Sequence, residues 1–245
     1  MNDHDVVLYG NDSSALTNCV VPVVASALQD GGAAVVVASE EHERAFRSTL
    51  EAVGVDSQSD AVADRLRFLN ASETAKALML DGRIEPTRFE RLIGNPVRKL
   101  AERFDLCVYG EIVGVLRTWG KAQVAAELED LWGRLLGDVP FRLLCGYPID
   151  VLGAEFRAGE MDVILTRHTQ LISALPTAFE PSLDAGLESA VGRQRAQAIR
   201  NVIGSARRPV WATLQRAEAT LMWLRDNLPD QADGIIEGAR IRASS

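Results

Sequence analysis

The sequence predicts an α/β fold, in which a parallel sheet is flanked by helices and followed by a C-terminal helical region. From the start of the chain to about residue 150, short β-rich runs alternate with helical stretches, a pattern typical of a parallel sheet with helices on both faces. Beyond Pro176 the pattern becomes helical only and rich in Ala and Arg. The chain has 245 residues, 47% of them hydrophobic, which is enough to bury a large core.

Five apolar runs are predicted as strands. They are Val6–Tyr9, Ala33–Ala38, Leu66–Leu69, Leu106–Tyr109 and Phe141–Cys145. Between the first two, Ser13–Gln29 is predicted as a helix that stops at Gly31-Gly32, with Pro22 either kinking it or marking its first turn. A second helix, Glu40–Val53, is predicted to end at Gly54.

Three later segments have helical periodicity. Pro86–Phe104 aligns its apolar residues, but Gly94-Asn95-Pro96 should split or bend it. Lys121–Leu136 carries one continuous apolar stripe, which places its tryptophan in the core. Met161–Ser173 is predicted as a further helix that holds His168 near the core.

The change of pattern after Pro176 predicts two domains, residues 1–177 and 178–245. In the second, apolar residues repeat at spacings of three and four, as in a short coiled-coil seam. This seam consists of Val210, Leu214, Ala217, Leu221, Leu224 and Leu228. A seam of this kind packs on its own domain or on a second chain, since it would otherwise form an exposed apolar patch. We expect the helical region to be an output or oligomerisation element and the chain to form a homo-oligomer.

Composition narrows the classes of partner. Lys and Arg number 26 against 34 Asp and Glu, a net charge of −8, which disfavours nucleic acid or an anionic membrane as the main partner. The start of the chain lacks a signal-peptide pattern, and no apolar run approaches the roughly 20 residues of a membrane span. We therefore expect a cytoplasmic protein that does not engage a membrane.

The cysteines do not indicate a metal or redox motif. Cys19, Cys107 and Cys145 lie far apart in sequence, without the close spacing of a zinc site. Cys107 and Cys145 lie in strand-like runs, where a thiol is usually a small core side chain. The sequence thus predicts neither a metal nor a cofactor.

The stretch VVLYGNDSSALT occupies the position of a phosphate loop in a nucleotide-binding α/β protein. Gly10 matches the first glycine of the Walker A pattern and Thr17 its hydroxyl residue. Ala15 replaces the second glycine, and Leu16 replaces the lysine that reaches the outer phosphates. We therefore expect neither tight ATP binding nor ATP hydrolysis.

The same turn keeps residues that could hold a smaller anion. Gly10, Ser13, Ser14 and Thr17 lie at the start of the predicted helix, where backbone amides and the helix dipole favour negative charge. Ser and Thr are equally typical of ordinary helix capping. Both interpretations stay open.

A second group of candidates follows the ends of the strands. Glu111 comes directly after Leu106–Tyr109, at the sheet edge where open α/β proteins bind ligands. Two roles of Glu111 stay open: contact with a ligand, and a helix-capping or salt-bridge role. Tyr9, Tyr109, Cys145 and Tyr147 end or follow strands and could line a small-molecule pocket with it, or the tyrosines could merely close the top of the core.

The histidines do not indicate catalysis from sequence alone. His42 begins a helix and is expected to be solvated, and His168 has no second His or Cys near it in sequence. No serine lies in a nucleophile elbow, and sequence places no Ser, His and Asp in mutual reach. A catalytic role is therefore not predicted.

Six short patterns, taken in order, resemble the MEDS domain, the methanogen/methylotroph sensory domain of bacterial and archaeal signalling proteins. They are His4-Asp5-Val6-Val7-Leu8-Tyr9, DGRIEPTRFERLIG, Gly110-Glu111, Leu128-Glu129-Asp130-Leu131-Trp132, Leu143-Leu144-Cys145-Gly146-Tyr147-Pro148 and a late segment bearing His168. The resemblance covers about residues 4–176. It implies a RecA-like core with a degenerate phosphate loop that acts as a sensory or interaction module rather than an enzyme.

Three functions follow from these observations. The first is a non-catalytic cytosolic sensory domain that binds an unidentified small ligand or a signalling partner protein and relays its state through the C-terminal helices. The second is a nucleotide-binding RecA-like ATPase with an altered phosphate loop. The third is a transcriptional regulator that acts through a partner; no helix-turn-helix with a basic recognition helix is evident, although the GSARRPVW stretch is locally basic.

Overall fold

The structure is a computed structural model that describes residues 3–57, 59–154, 156–205 and 214–243. Two compact units divide the chain. The first comprises the residues up to Val7 together with Asp12–Pro148, and the second comprises Leu8–Asn11 together with the residues from Ile149 onward. The predicted domain boundary between residues 177 and 178 stays a prediction.

A parallel sheet forms the centre of the first unit. The strands among the described residues are β1 His4–Leu8, β2 Ala33–Ala38, β3 Leu66–Asn70, β4 Met79–Leu80, β5 Arg83–Ile84, β6 Leu106–Gly110, β7 Arg142–Tyr147 and β8 Gln170–Ile172. In the first unit the order is β3-β2-β6-β7-β1, with all strands parallel. Every residue of β1, β2 and β6 is buried, as expected of strands covered on both faces. The predicted α/β fold is confirmed, and each predicted strand is present.

Helices connect and cover these strands. Those before residue 149 are α1 Ser13–Gln29, α2 Glu40–Ala52, α3 Asp60–Ala63, α4 Ala71–Leu78, α5 Pro86–Phe89, the π-helical turn Glu90–Gly94, α6 Asn95–Ala101, α7 Ile112–Thr118 and α8 Ala122–Asp138. The apolar stripe of α8 faces the core, where Trp132 is 2% exposed and meets Phe89 edge-on at 5.4 Å between ring centroids. The core position predicted for the tryptophan is confirmed.

The two helices with internal prolines behave differently. α1 runs unbroken through Pro22, so that proline does not mark its first turn. The Pro86–Phe104 segment is divided as predicted: the Asn95 amide donates to the carbonyl of Glu90, five residues back, just before Pro96, which has no N–H to donate. The π-helical turn accommodates the proline without ending the helical path.

The hairpin of β4 and β5 was not predicted. These two short antiparallel strands are joined by Asp81 and Gly82, both with positive φ (50° and 81°). An Asp-Gly pair between two short strands is a hairpin signal, because its residues tolerate the left-handed backbone of a tight turn. The sequence therefore carried a signal for this hairpin.

Within its described residues, the second unit contains β8 and five helices. The helices are α9 Ala158–Leu165, α10 Phe179–Val191, α11 Arg193–Ser205, α12 Arg216–Asn227 and α13 Pro229–Ala243. The helix predicted over Met161–Ser173 is wrong in its second half, because α9 ends at Leu165 and Gln170–Ile172 is a strand. His168 follows the helix, and its Nδ1 lies 2.7 Å from the Ile164 carbonyl oxygen. The ring thus donates a hydrogen bond to a carbonyl of the last helical turn.

The predicted seam is largely internal to the chain. Ala217, Leu221 and Leu224 on α12 are buried, while Val210 lies outside the described residues. Arg225 of the same helix donates to the carbonyl oxygens of Val151 and Leu152.

Among the described helices, none is both long and apolar enough to cross a membrane.

Candidate functional site

Three side chains of the first unit form a hydrogen-bonded chain, called here the Ser13–His42–Glu111 relay. The Ser13 Oγ lies 3.2 Å from His42 Nε2, and His42 Nδ1 lies 2.8 Å from Glu111 Oε1. Ser13 begins α1, His42 lies in the first turn of α2, and Glu111 directly follows β6. The start of two helices and the end of a strand thus bring together residues 98 positions apart at their extremes.

The relay is buried at its acidic end and accessible at its hydroxyl end. Glu111 is 2% exposed and His42 7%, whereas Ser13 is half-buried. Glu111 also accepts from the Ser39 amide at 2.9 Å and from the Tyr109 hydroxyl at 2.9 Å. These donors satisfy a buried carboxylate that would otherwise be costly to hold.

The charge of the relay centres on His42. Burial lowers its pKa, but the hydrogen bond that His42 donates to Glu111 and the charges of Glu111 and Glu41 raise it more, so the pKa lies above the usual 6.5. Its ring stacks on Phe46, with centroids 6.0 Å apart, and Phe46 meets Tyr109 edge-on at 5.5 Å. The sequence expectation that His42 is solvated is wrong, because the side chain is buried and its ring nitrogens lie within hydrogen-bond distance of Glu111 and Ser13.

The serine hydroxyl has two competing acceptors. It donates to Glu41 Oε1 at 3.0 Å, and His42 Nε2 lies at 3.2 Å. When His42 is neutral and its Nδ1–H donates to Glu111, Nε2 can accept a hydrogen bond from the Ser13 hydroxyl. When His42 is protonated, both ring nitrogens donate, and the Ser13 hydroxyl donates to Glu41 instead. The relay therefore has two hydrogen-bond states that differ by one proton.

The start of α1 already holds an anionic group. The Asp12 carboxylate accepts from the Ser14 and Ala15 amides at 2.9 and 3.0 Å and from the Ser14 hydroxyl at 2.6 Å. These contacts, the Ser14 hydroxyl foremost, lower the pKa of Asp12. Asp12 thus occupies amides that a phosphate would need, which is the capping interpretation of this turn.

The other residues of the loop are engaged locally. Thr17 donates its hydroxyl to the Ser13 carbonyl at 2.7 Å, and Leu16, at the lysine position of the Walker pattern, is fully buried. Gly10 belongs to the second unit, where its amide donates to the Ile149 carbonyl at 3.0 Å with φ +56°. Tyr9, in the same unit, is half-buried.

Cys145 and Tyr147 belong to a second cluster on the opposite face of the sheet. A Cβ at Gly146 would overlap the Tyr109 hydroxyl, so Gly146 faces the relay side. Because side chains alternate along a strand, Cys145 and Tyr147 face the other way, toward α8. The structure therefore joins Ser13 to Glu111 through His42 and keeps Thr17 beside Ser13, but it separates these residues from Cys145 and Tyr147.

The second cluster also contains two residues that sequence reasoning did not select. His4 Nε2 lies 3.4 Å from Cys145 Sγ and 3.7 Å from Glu129 Oε2, and Tyr147 donates its hydroxyl to Glu129. All four residues are buried, which confirms the predicted core position of Cys145. Burial and the charge of Glu129 raise the pKa of both the Cys145 thiol and the Tyr147 hydroxyl.

Sequence signals for these missed residues existed but were weak. His4 and Glu129 are polar residues at otherwise apolar positions, in the strand HDVVL and on the apolar face of α8.

A separate cavity of about 440 Å³ lies between α5, the π-helical turn, α6 and α8. Its lining consists of Pro86, Thr87, Phe89, Glu90, Arg98, Leu131, Arg134, Leu135 and Asp138, none of them a predicted site residue.

Comparison with known proteins identifies a family. The family model described as MEDS, the MEthanogen/methylotroph, DcmR Sensory domain, matches residues 3–168. No curated protein matches the chain.

Proposed function

Since the chain belongs to the MEDS family of sensory domains, we propose that it is a non-catalytic, cytoplasmic sensory module. In this proposal it binds a small ligand or a partner protein and passes its state on through the helices of residues 178–245. The observation that carries the proposal is the Ser13–His42–Glu111 relay, which joins an accessible hydroxyl to a buried carboxylate through one histidine.

The relay is suited to detect a polar group. Glu41 is exposed, so its hydrogen bond to Ser13 is of the weak surface kind and can be exchanged for one to a ligand. A ligand acceptor at Ser13 favours protonated His42, whereas a ligand donor favours the neutral ring. Binding would thus be coupled to the proton on His42 and, through it, to Glu111 at the end of β6.

The nucleotide-binding alternative is less well supported. The amides of Ser14 and Ala15 already bond to Asp12, and the side chain at the lysine position is buried. Titration with Mg-ATP tests this alternative directly. Micromolar affinity that is abolished by Thr17→Ala or Glu111→Gln would favour the ATPase.

A thermal-shift screen of the full chain with small polar molecules tests the sensory proposal. A ligand at about 100 times its Kd stabilises the folded state by about 2.7 kcal/mol, which raises the melting temperature. We expect the shift to disappear in Ser13→Ala and His42→Gln and to persist in Glu40→Gln, an exposed carboxylate on the same turn of α2. Shifts that persist in both relay variants would contradict the proposed site.

The geometry of the relay also favours a second candidate function, acyl transfer by a serine nucleophile. A histidine between a serine hydroxyl and a buried carboxylate is the arrangement that activates serine in hydrolases. A fluorophosphonate probe, followed by peptide mass spectrometry, measures this activity. Labelling of Ser13 that is lost in His42→Gln but kept in Ser14→Ala would establish an enzyme, whereas an unlabelled Ser13 supports the non-catalytic module.

A further inference from the structure

The buried cluster on the α8 face of the sheet combines three different ligand types. His4 comes from the start of β1, Cys145 from β7 and Glu129 from α8, all within the first unit. They offer an imidazole nitrogen, a sulfur and a carboxylate oxygen, and these atoms lie within 4.8 Å of one another. All three residues are at most 8% exposed.

The separations match those of a tetrahedral metal site. Zinc bonds of about 2.0–2.1 Å to nitrogen or oxygen and about 2.3 Å to sulfur, at tetrahedral angles, place nitrogen about 3.5 Å from sulfur and about 3.4 Å from oxygen. The His4 Nε2 lies 3.4 Å from Cys145 Sγ and 3.7 Å from Glu129 Oε2. Small side-chain movements would therefore complete the coordination.

We propose that His4, Glu129 and Cys145 form a binding site for a divalent transition metal of the zinc class. The mixture of thiolate, imidazole and carboxylate is typical of zinc and disfavours magnesium or calcium, which prefer oxygen ligands alone. These three residues fill three positions of the tetrahedron, and the fourth is supplied from outside them. The site does not depend on the relay, which lies on the other face of the sheet.

Tyr147 has the place of an outer-shell residue in this site. Its hydroxyl donates to the Glu129 carboxylate, which orients that group toward His4. Residues that fix a metal ligand in this way typically change metal affinity by about 10–100-fold when they are substituted. Tyr147→Phe should therefore weaken binding by about this factor without removing a ligand.

Titration of chelator-treated full-length protein with Co²⁺ tests the site, because cobalt replaces zinc and absorbs light. We expect one Co²⁺ per chain, tetrahedral d–d bands and a thiolate-to-cobalt charge-transfer band. Cys145→Ser should lose that charge-transfer band, whereas Cys107→Ser, another buried thiol in a neighbouring strand, should keep it. Zn²⁺ should displace the cobalt and raise the melting temperature of the wild-type chain.

Several outcomes would overturn the proposal. They are failure of the folded wild-type chain to bind Co²⁺ or Zn²⁺ at micromolar concentration, cobalt binding without a thiolate band, and equal binding by Cys145→Ser and Cys107→Ser. If Cys145→Ser does not fold, as judged by circular dichroism, the wild-type spectrum and the affinity of Glu129→Gln decide the matter. A Glu129→Gln variant that binds as tightly as wild type would also contradict the site.

Discussion

At the scale of single residues, His42 makes folding depend on pH. Glu111 and Glu41 raise its pKa in the folded state above the unfolded value of about 6.5, despite the opposing effect of burial. The stabilisation from protonated His42 is therefore complete below about pH 6.5 and is lost as the pH rises through the folded-state pKa. We expect the stability difference between wild type and His42→Gln to be larger at pH 6 than at pH 9 in urea denaturation.

Glu111→Gln provides the control for this prediction. It keeps the shape of Glu111 but removes the charge that raises the pKa of His42, so the pH-dependent part of the difference should shrink in this background. A hydrogen bond between neutral His42 and Glu111 persists at high pH and gives His42→Gln a constant cost. Equal stability differences at pH 6 and pH 9 would show that His42 does not titrate in this range.

At the scale of elements, Asp12 fixes the start of α1. It accepts from two backbone amides of the first turn, the usual contribution of an N-cap residue. Replacement by Ala at such a position typically costs about 1 kcal/mol of stability. We expect this loss for Asp12→Ala in urea denaturation and a much smaller one for Asp12→Asn, which retains a capping oxygen; equal stability of all three proteins would contradict the capping role.

Helix α12 gives a prediction about the apolar seam. Leu221 is fully buried within the chain, so its truncation leaves a cavity instead of opening an intermolecular surface. We expect Leu221→Ala to lower the free energy of unfolding by about 2–5 kcal/mol without changing the mass measured by light scattering. The control is Val202→Ala on α11, 53% exposed and expected to change stability by less than about 0.5 kcal/mol. A change of mass in Leu221→Ala, but not in Val202→Ala, would indicate that the seam is an interface between chains.

At the scale of the whole molecule, the C-terminal helix α12 is bonded to and packed against earlier residues of the second unit. α12 packs on α9, and Arg225 bonds to the carbonyls of Val151 and Leu152, all within that unit. We expect a chain truncated after residue 177 to have a lower melting temperature than the full chain, because the truncation removes these contacts. An unchanged melting temperature would indicate that residues 1–177 fold independently.

The homo-oligomer stays a prediction at this scale. The central residues of the seam are buried in one chain, so the original reason for expecting a second copy no longer applies to them. Symmetric pairing remains the commonest route to an oligomer, and light scattering of the full chain over a range of concentrations measures it directly. A constant monomer mass would contradict the prediction.

The sequence by itself determined the five strands of the parallel sheet in the first unit and the main helices, and it carries the prediction that the first turn does not bind a nucleotide. These features depend on neighbours along the chain: apolar runs for the strands, periodicity for α8, and the substitutions at Ala15 and Leu16. Local signals were ambiguous where α9 ends, since apolar residues on either side of His168 suit both a helix and a strand. There the tertiary structure overrode the helical pattern.

Only the tertiary structure decided which polar side chains meet. His42 lies 29 residues from Ser13 and 69 from Glu111, and His4 lies 141 from Cys145, separations at which sequence patterns carry no distance information. Strand order brings the ends of distant segments together, and the alternation of side chains along β7 decides which face each one joins. For this reason the sequence pointed to Ser13, Glu111 and Cys145 one by one, while the fold alone assigned the first two to the relay and the third to the proposed metal site.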